Sequence, residues 1–221
     1  MAERDAQYYD AYFEANPAYH LPYRDSHYFP LWVQVEFQLR PYKAKRILEL
    51  GCGTGQFAQY LHDLDYPHYR GTDFSPEAVE RARANSPYTF EVADATAPET
   101  YAEPFDVALS LEMLEHIEGD LVVMDRIPEG TLCVFSVPNF DHPGHVRWFR
   151  SEYQVRKRYF QKVDILSIHF INNIYLVTGT RSEFSPSLLQ GLLTTRKPVT
   201  LNALWQRVRF RLTNAFKTPQ A

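Results

Sequence analysis

"ILELGCGTGQFAQYL", residues 47–61, changes period part-way along. Ile47, Leu48 and Leu50 make a short apolar run of strand length, and Phe57, Tyr60, Leu61 and then Leu64 recur at helical spacing. Gly51, Gly53 and Gly55 fill the turn between them. A strand that passes through a glycine turn into an amphipathic helix opens a βα unit. The same alternation continues outward. "HYRGTDF" (68–74) reads as a second strand ending at Asp73, after which Ser75 and Pro76 supply an N-cap and a first helical residue for "EAVERARAN". "YTFEVADAT" (88–96) gives a third strand, "FDVALSL" (105–111) a fourth, "LVVMDRI" (121–127) a helix and "GTLCVFSVP" (130–138) a fifth strand. "VDILSIHF" and "NIYLVTGT" then lie close enough for a hairpin, hence antiparallel. The expected fold is α/β, a three-layer sandwich around a mostly parallel sheet.

Composition frames that reading. The chain has 221 residues, 45% hydrophobic and 23% charged, ordinary globular values. It holds no apolar run of membrane-spanning length and no signal-peptide pattern, so the expected location is cytoplasmic. Cys52 and Cys133 lie far apart without C-x-x-C spacing and read as reduced thiols. Three stretches differ in character. Residues 1–43 hold seven tyrosines with Phe13, Phe29, Trp32 and Phe37, an aromatic cover for a sheet edge that is equally compatible with a lid over a cleft. Residues 44–180 carry the βα pattern. Residues 181–221 are basic, with a balance of +6 against −10 for the rest. An acidic body argues against a nucleic-acid partner, because phosphates need clustered cations. In the tail, Leu201, Leu204, Trp205, Val208, Leu212 and Ala215 form one helical stripe with Arg207, Arg209 and Arg211 mostly off it. That stripe fits docking on its own domain or on a second copy, and equally peripheral contact with an anionic membrane. Monomer and homodimer both remain open.

The glycine turn narrows the ligand. A dinucleotide fingerprint needs G-x-G-x-x-G, whereas Gly55 comes one place early and Gln56 takes the sixth position. No Gly-Lys-Ser/Thr follows, so a phosphate P-loop is also absent. Asp73 stands 22 residues after Gly51, where a carboxylate can take both ribose hydroxyls, and Asp94 ends the third strand near an adenine edge. Alone, each aspartate reads as a loop cap. Together with the glycines they describe one nucleoside across the carboxyl ends of the first three strands.

In this order, "ILELGCGTGQFAQYL", "GTDFSPEAVERAR", "FEVADAT", "FDVALSLEMLEHI" and "LCVFSVPN" resemble the successive motifs of class I S-adenosylmethionine-dependent methyltransferases. The resemblance spans roughly residues 45–180. It implies a Rossmann-like seven-stranded sheet with the last strand antiparallel. It places the methionine end of S-adenosylmethionine against Gly51, Gly53 and Gly55, with Glu49 facing its amino group. It places the ribose on Asp73, the adenine beside Phe74, Asp94 and Ala95, and Leu111 near the sulfonium.

After the fourth strand, Glu112, Glu115 and His116 stand at spacings of three and four and would share a face if the stretch is helical. "EMLEH" resembles the O-methyltransferases of ubiquinone biosynthesis. The same spacing occurs in small-RNA 2′-O-methyltransferases, which bind a divalent metal through two glutamates, that histidine and a further one. His145 matches the further histidine better than His142. The resemblance thus implies a possible metal site of Glu112, Glu115, His116 and His145, open to Mg²⁺, Mn²⁺, Fe²⁺ or Zn²⁺. Two other readings stand beside it: His116 or His145 as a metal-free base aided by Glu115, and a polar cluster with a structural role only. Arg147, Trp148 and Phe149, with Arg156, Lys157 and Arg158, read either as packing or as an acceptor wall with cations for an anionic group. The expected activity is methyl transfer to a hydroxyl, a vicinal diol included, of a small molecule or glycan. N-methylation and a cofactor-binding pseudoenzyme are the alternatives.

Overall fold

The computed structural model describes residues 3–43 and 45–183. The amphipathic stripe at 201–215, and with it the membrane and docking readings of the tail, lie outside the described residues. No helix among the described residues is long and apolar enough to cross a membrane.

Seven strands form one sheet: β1 (Ile47–Leu50), β2 (Tyr69–Asp73), β3 (Thr89–Val92), β4 (Val107–Ser110), β5 (Leu132–Pro138), β6 (Val163–Ile171) and β7 (Ile174–Arg181). Their order is β3-β2-β1-β4-β5-β7-β6. β1 to β5 pair in parallel, and β7 lies antiparallel between β5 and β6. The expected hairpin is present and tight. Asn172 and Asn173 both adopt positive φ, 47° and 65°, the backbone that a two-residue type I′ turn demands. The chain order reverses at the centre, between β1 and β4, so the loops leaving their carboxyl ends diverge and open a cleft.

Strand burial explains the layers. β1, β4 and β5 are buried at every residue, as both faces of a parallel sheet are covered. On one face Ile47, Leu109, Val134 and Leu176 pack with Phe57 and Leu61 of α3 (Gln56–Asp63) and Val79 and Ala82 of α4 (Pro76–Asn85). On the other, Leu48, Leu50, Phe135 and Val177 pack with Val123 and Met124 of α5 (Asp120–Arg126) and Val155 and Tyr159 of α6 (Glu152–Tyr159).

The N-terminal segment packs on one face of the sheet and reaches its β6 edge, where Gln38 Nε2 lies 3.3 Å from His169 Nε2. Its second helix, α2 (Phe29–Leu39), buries Leu31, Trp32, Val35 and Leu39 in the α3 face of the core. A buried aliphatic side chain contributes roughly 1.5–3 kcal/mol, so α2 is a firm part of that layer. The first helix, α1 (Ala6–Ala15), buries Phe13 alone and is fastened largely by polar contacts. Asp10 accepts from Ser75 Oγ and from the Glu77 N–H (3.3 Å), and Glu3 accepts from the Glu118 N–H (2.7 Å). α1 therefore lies across the mouth of the cleft.

Candidate active site

The cleft encloses a cavity of about 290 Å³ whose walls come from β1, β2, the loops after β3, β4 and β5, and the aromatic N-terminal segment. One wall begins at the glycine turn, where Gly51, Gly53 and Gly55 adopt φ of +74°, +52° and +75°. A Cβ on Gly51 would meet Met113 Cγ at 2.5 Å, so glycine is needed for close approach as well as for φ. Gly55 does not line the cavity. It lets α3 rest on α4, where a Cβ would lie 2.9 Å from Ala82 Cα.

Asp73 ties that turn to the end of β2 by accepting from the Gly53 N–H (2.9 Å) and the Ser75 N–H (3.0 Å). Each oxygen keeps a lone pair for a ligand hydroxyl. Burial raises its pKa to about 6. Glu49 is buried deeper, accepts from the Tyr69 hydroxyl, and is pushed up to about 8 by burial. Phe74, Ala95 and Leu111 line the same cavity. Asp94 also lines it, with Oδ1 already accepting from Thr96 N–H (2.7 Å) and Oγ (2.8 Å) as an Asx turn. Thr54 and Gln56, which pattern reading passed over, bind the cover to the glycine turn. The Thr54 hydroxyl donates to Tyr19 O, and the Gln56 amide donates to Ala18 O and Leu21 O.

The stretch after β4 corrects one expectation: residues 111–119 form turns, with no helix before α5. Glu112 takes φ of +52°, and Ser136 Oγ of β5 both accepts from its N–H (2.7 Å) and donates to its Oε1 (2.8 Å). Glu115 and His116 meet for another reason. The Glu115 carbonyl accepts from the Val146 and Arg147 N–H groups, which lays the loop after β5 against this turn and brings His145 alongside. The Arg147 guanidinium donates to the carbonyls of Leu114, Ile117 and Glu118, filling the inside of the turn.

One ligand atom from each of Glu115, His116 and His145 lies within 4.8 Å of the other two, and Glu115 Oε1 is 3.9 Å from His116 Nε2. Glu112 stands outside this close group. His116 Nδ1 contacts Gly144 O at 2.9 Å and His145 Nδ1 contacts Phe140 O at 3.2 Å. A carbonyl can only accept, so Nδ1 carries the proton on both rings and Nε2 is the free acceptor of the neutral imidazole. Burial holds both rings neutral, lowering His116 to about 4 and His145 in the same direction. Burial and the adjacent Glu112 raise Glu115 well above the carboxylate range. Both Glu115 oxygens are buried without a hydrogen-bond partner among the described residues.

Residues 47–127 match the family described as a methyltransferase domain. A ubiquinone biosynthesis O-methyltransferase of Cereibacter sphaeroides is 31% identical over 108 residues, 45% of this chain and 43% of that relative. The match thus spans less than half of the relative's length. Magnesium protoporphyrin IX methyltransferase from Synechocystis PCC 6803, solved with bound SAM, superposes with a TM-score of 0.62 at 16% identity, over 82% of this chain and 100% of that one. The N-methyltransferase NodS from Bradyrhizobium japonicum WM9, solved with S-adenosyl-l-homocysteine, gives 0.54 at 19% identity, over 78% and 91%. Over residues 47–127 the chain is thus similar to a methyltransferase domain, on a fold shared with solved methyltransferases.

In this methyltransferase fold the donor set suits a divalent ion. Two imidazoles present unprotonated Nε2 atoms while backbone carbonyls fix Nδ1, the usual support for a metal-ligating histidine. A carboxylate lacking any other partner completes three ligands, the number that leaves a metal open to a further oxygen. His142 is oriented differently, because its Nδ1 accepts from the Gly144 N–H (3.2 Å).

The cations of the loop after β5 and of α6 do not line the cavity. Arg147 and Arg158 both pair with buried Asp120 (3.4 and 2.6 Å), and Arg156 pairs with Glu152 on its own helix. Phe149 is buried against Tyr159, and Trp148 lies under Arg150. Packing is therefore their role. The cavity is instead strongly acidic: Glu3, Glu49, Asp73, Asp94, Glu112 and Glu115 line it against one arginine, Arg4.

Proposed function

We propose that the protein is an S-adenosylmethionine-dependent methyltransferase that methylates a hydroxyl oxygen, with a divalent ion held by Glu115, His116 and His145. The observation that carries this reading is Glu115. A buried carboxylate whose two oxygens lack partners is costly, and the two facing Nε2 lone pairs do not relieve it. A ligand that accepts all three donors does. A bound divalent ion would supply Lewis acidity, lowering the pKa of a hydroxyl that approaches it.

The chain's own residues account for the rest of the proposal. Asp73 and Glu49 take the ribose and amino groups of S-adenosylmethionine. The backbone at Gly51 and Gly53 admits its methionine portion, and Leu111 excludes water near the sulfonium. The acceptor hydroxyl gives up its proton to solvent, its oxygen attacks the methyl carbon in line as the carbon–sulfur bond breaks, and S-adenosylhomocysteine leaves. Positioning supplies much of the acceleration. The lining offers a single cation, Arg4, beside six carboxyl groups, so it lacks the clustered cations that a phosphate needs and supports an uncharged acceptor, a vicinal diol of a small molecule or glycan. The same carboxyl groups can accept hydrogen bonds from an amine, which keeps N-methylation as the second reading. Within this reading α1 and its aromatic neighbours are a lid over the two ligands. Metal analysis, calorimetry with S-adenosylmethionine, and methyl transfer to catechols, sugar diols and amines with and without chelator test the proposal together. An amine as the preferred acceptor with indifference to chelator would establish the second reading. Absence of cofactor binding would sink both.

A further inference from the structure

Tyr9 lies at the junction of the cavity's two halves. Its ring is edge-on to Phe74 on the cofactor side (centroids 5.4 Å apart, 60°) and edge-on to His116 on the other (5.6 Å, 78°). The two tethers of α1 bracket it. Asp10 holds the loop that follows Asp73 and Phe74, and Glu3 holds the loop that follows Glu115 and His116. Its hydroxyl is buried at the cavity wall without a hydrogen-bond partner among the described residues. Burial above all, with smaller electrostatic contributions from Tyr8 and Glu115, keeps it protonated. A buried phenol ordinarily finds a partner.

We propose that Tyr9 is a cofactor-binding residue whose hydroxyl pairs with the ribose–sulfonium portion of bound S-adenosylmethionine. This rests on the cofactor reading given above. A ring set between Phe74 and His116 has, in that reading, the ribose on one side and the transferred methyl on the other. The phenol can meet a ribose hydroxyl as donor or acceptor, and its oxygen can accept the polarised C–H groups beside the sulfonium. The hydroxyl is thus an unmet cost in the empty protein that the cofactor removes.

Tyr9→Phe keeps the ring and deletes the hydroxyl. Deleting an unpartnered buried hydroxyl leaves the ligand-free melting temperature equal or higher, whereas deleting a structural hydrogen bond lowers it. Calorimetry with S-adenosylmethionine and S-adenosylhomocysteine is expected to give about five- to tenfold weaker binding of at least the former, as loss of one hydrogen bond entails. A lower ligand-free melting temperature, or binding of both within twofold of wild type, overturns the role of Tyr9. Failure of the wild-type protein to bind either compound overturns the cofactor reading itself, which separates the two.

Discussion

At the scale of single residues the proposed metal site turns on Glu115. In the ion-free protein its carboxyl has no internal partner, so Glu115→Gln is expected to leave the melting temperature unchanged or raise it. The same substitution, and His145→Ala, should reduce bound Mn²⁺ or Zn²⁺ at least tenfold by metal analysis. Retention of metal in both variants would return the cluster to a structural role. Glu112→Gln should retain most of the metal, because Glu112 is engaged with Ser136. E-x-x-E-H spacing pointed to Glu112, Glu115 and His116 through a helix face that does not form, and His145 entered through the family resemblance. What brings three of them together is a pair of loops zipped by the Glu115 carbonyl and packed around Arg147. Such backbone-to-side-chain bonds join positions about thirty residues apart and leave no period for a pattern to catch. Tyr9 was hidden for a different reason: among seven tyrosines, composition cannot tell the one whose buried hydroxyl lacks a partner at the cavity wall.

Among elements, the glycine turn and the β6–β7 hairpin carry the sharpest constraints. Gly55→Ala would place a methyl against the α4 backbone at a left-handed position, so α3 and α4 must separate. Denaturant unfolding should show a loss of about 2 kcal/mol or more, since overpacking costs ~1–3 kcal/mol before the strained φ is added. Asn173→Gly keeps the type I′ turn and should leave stability equal or higher, while Asn173→Val should cost about 1–2 kcal/mol for a left-handed β-branched residue. Equal stability of the two variants would contradict the turn assignment. The strands and the hairpin were legible because burial on both faces and tight connection write themselves into local sequence. The placement of the N-terminal segment was not: aromatic content announces a cover without saying whether it meets an edge or a face. Leu31, Val35 and Leu39 of α2, buried in the α3 face, settle that only in three dimensions.

For the whole molecule, the cavity concentrates groups whose charged forms are disfavoured. Glu49, Glu112 and Asp73 have pKa values raised to about 8, 7 and 6, and Glu115 is raised further. The folded state therefore holds protons that the unfolded chain has already lost at neutral pH. Stability falls as pH rises whenever the native state binds the extra protons, by about 1.4 kcal/mol per proton per pH unit. His116, lowered to about 4, acts oppositely, but only below its unfolded value of 6.5. The ligand-free melting temperature should accordingly fall between pH 6.5 and 8.5. Glu112→Gln should flatten that slope, and an upward slope in wild type would contradict the burial of these carboxyls. The strand order carries a last consequence, for synthesis. Because β6 reaches the sheet only through β7, the β5 edge has no partner until the whole hairpin has been made. The sheet is completed by one late addition, the β6–β7 pair docking through β7, so a chain released before Arg181 would leave β5 as an open edge.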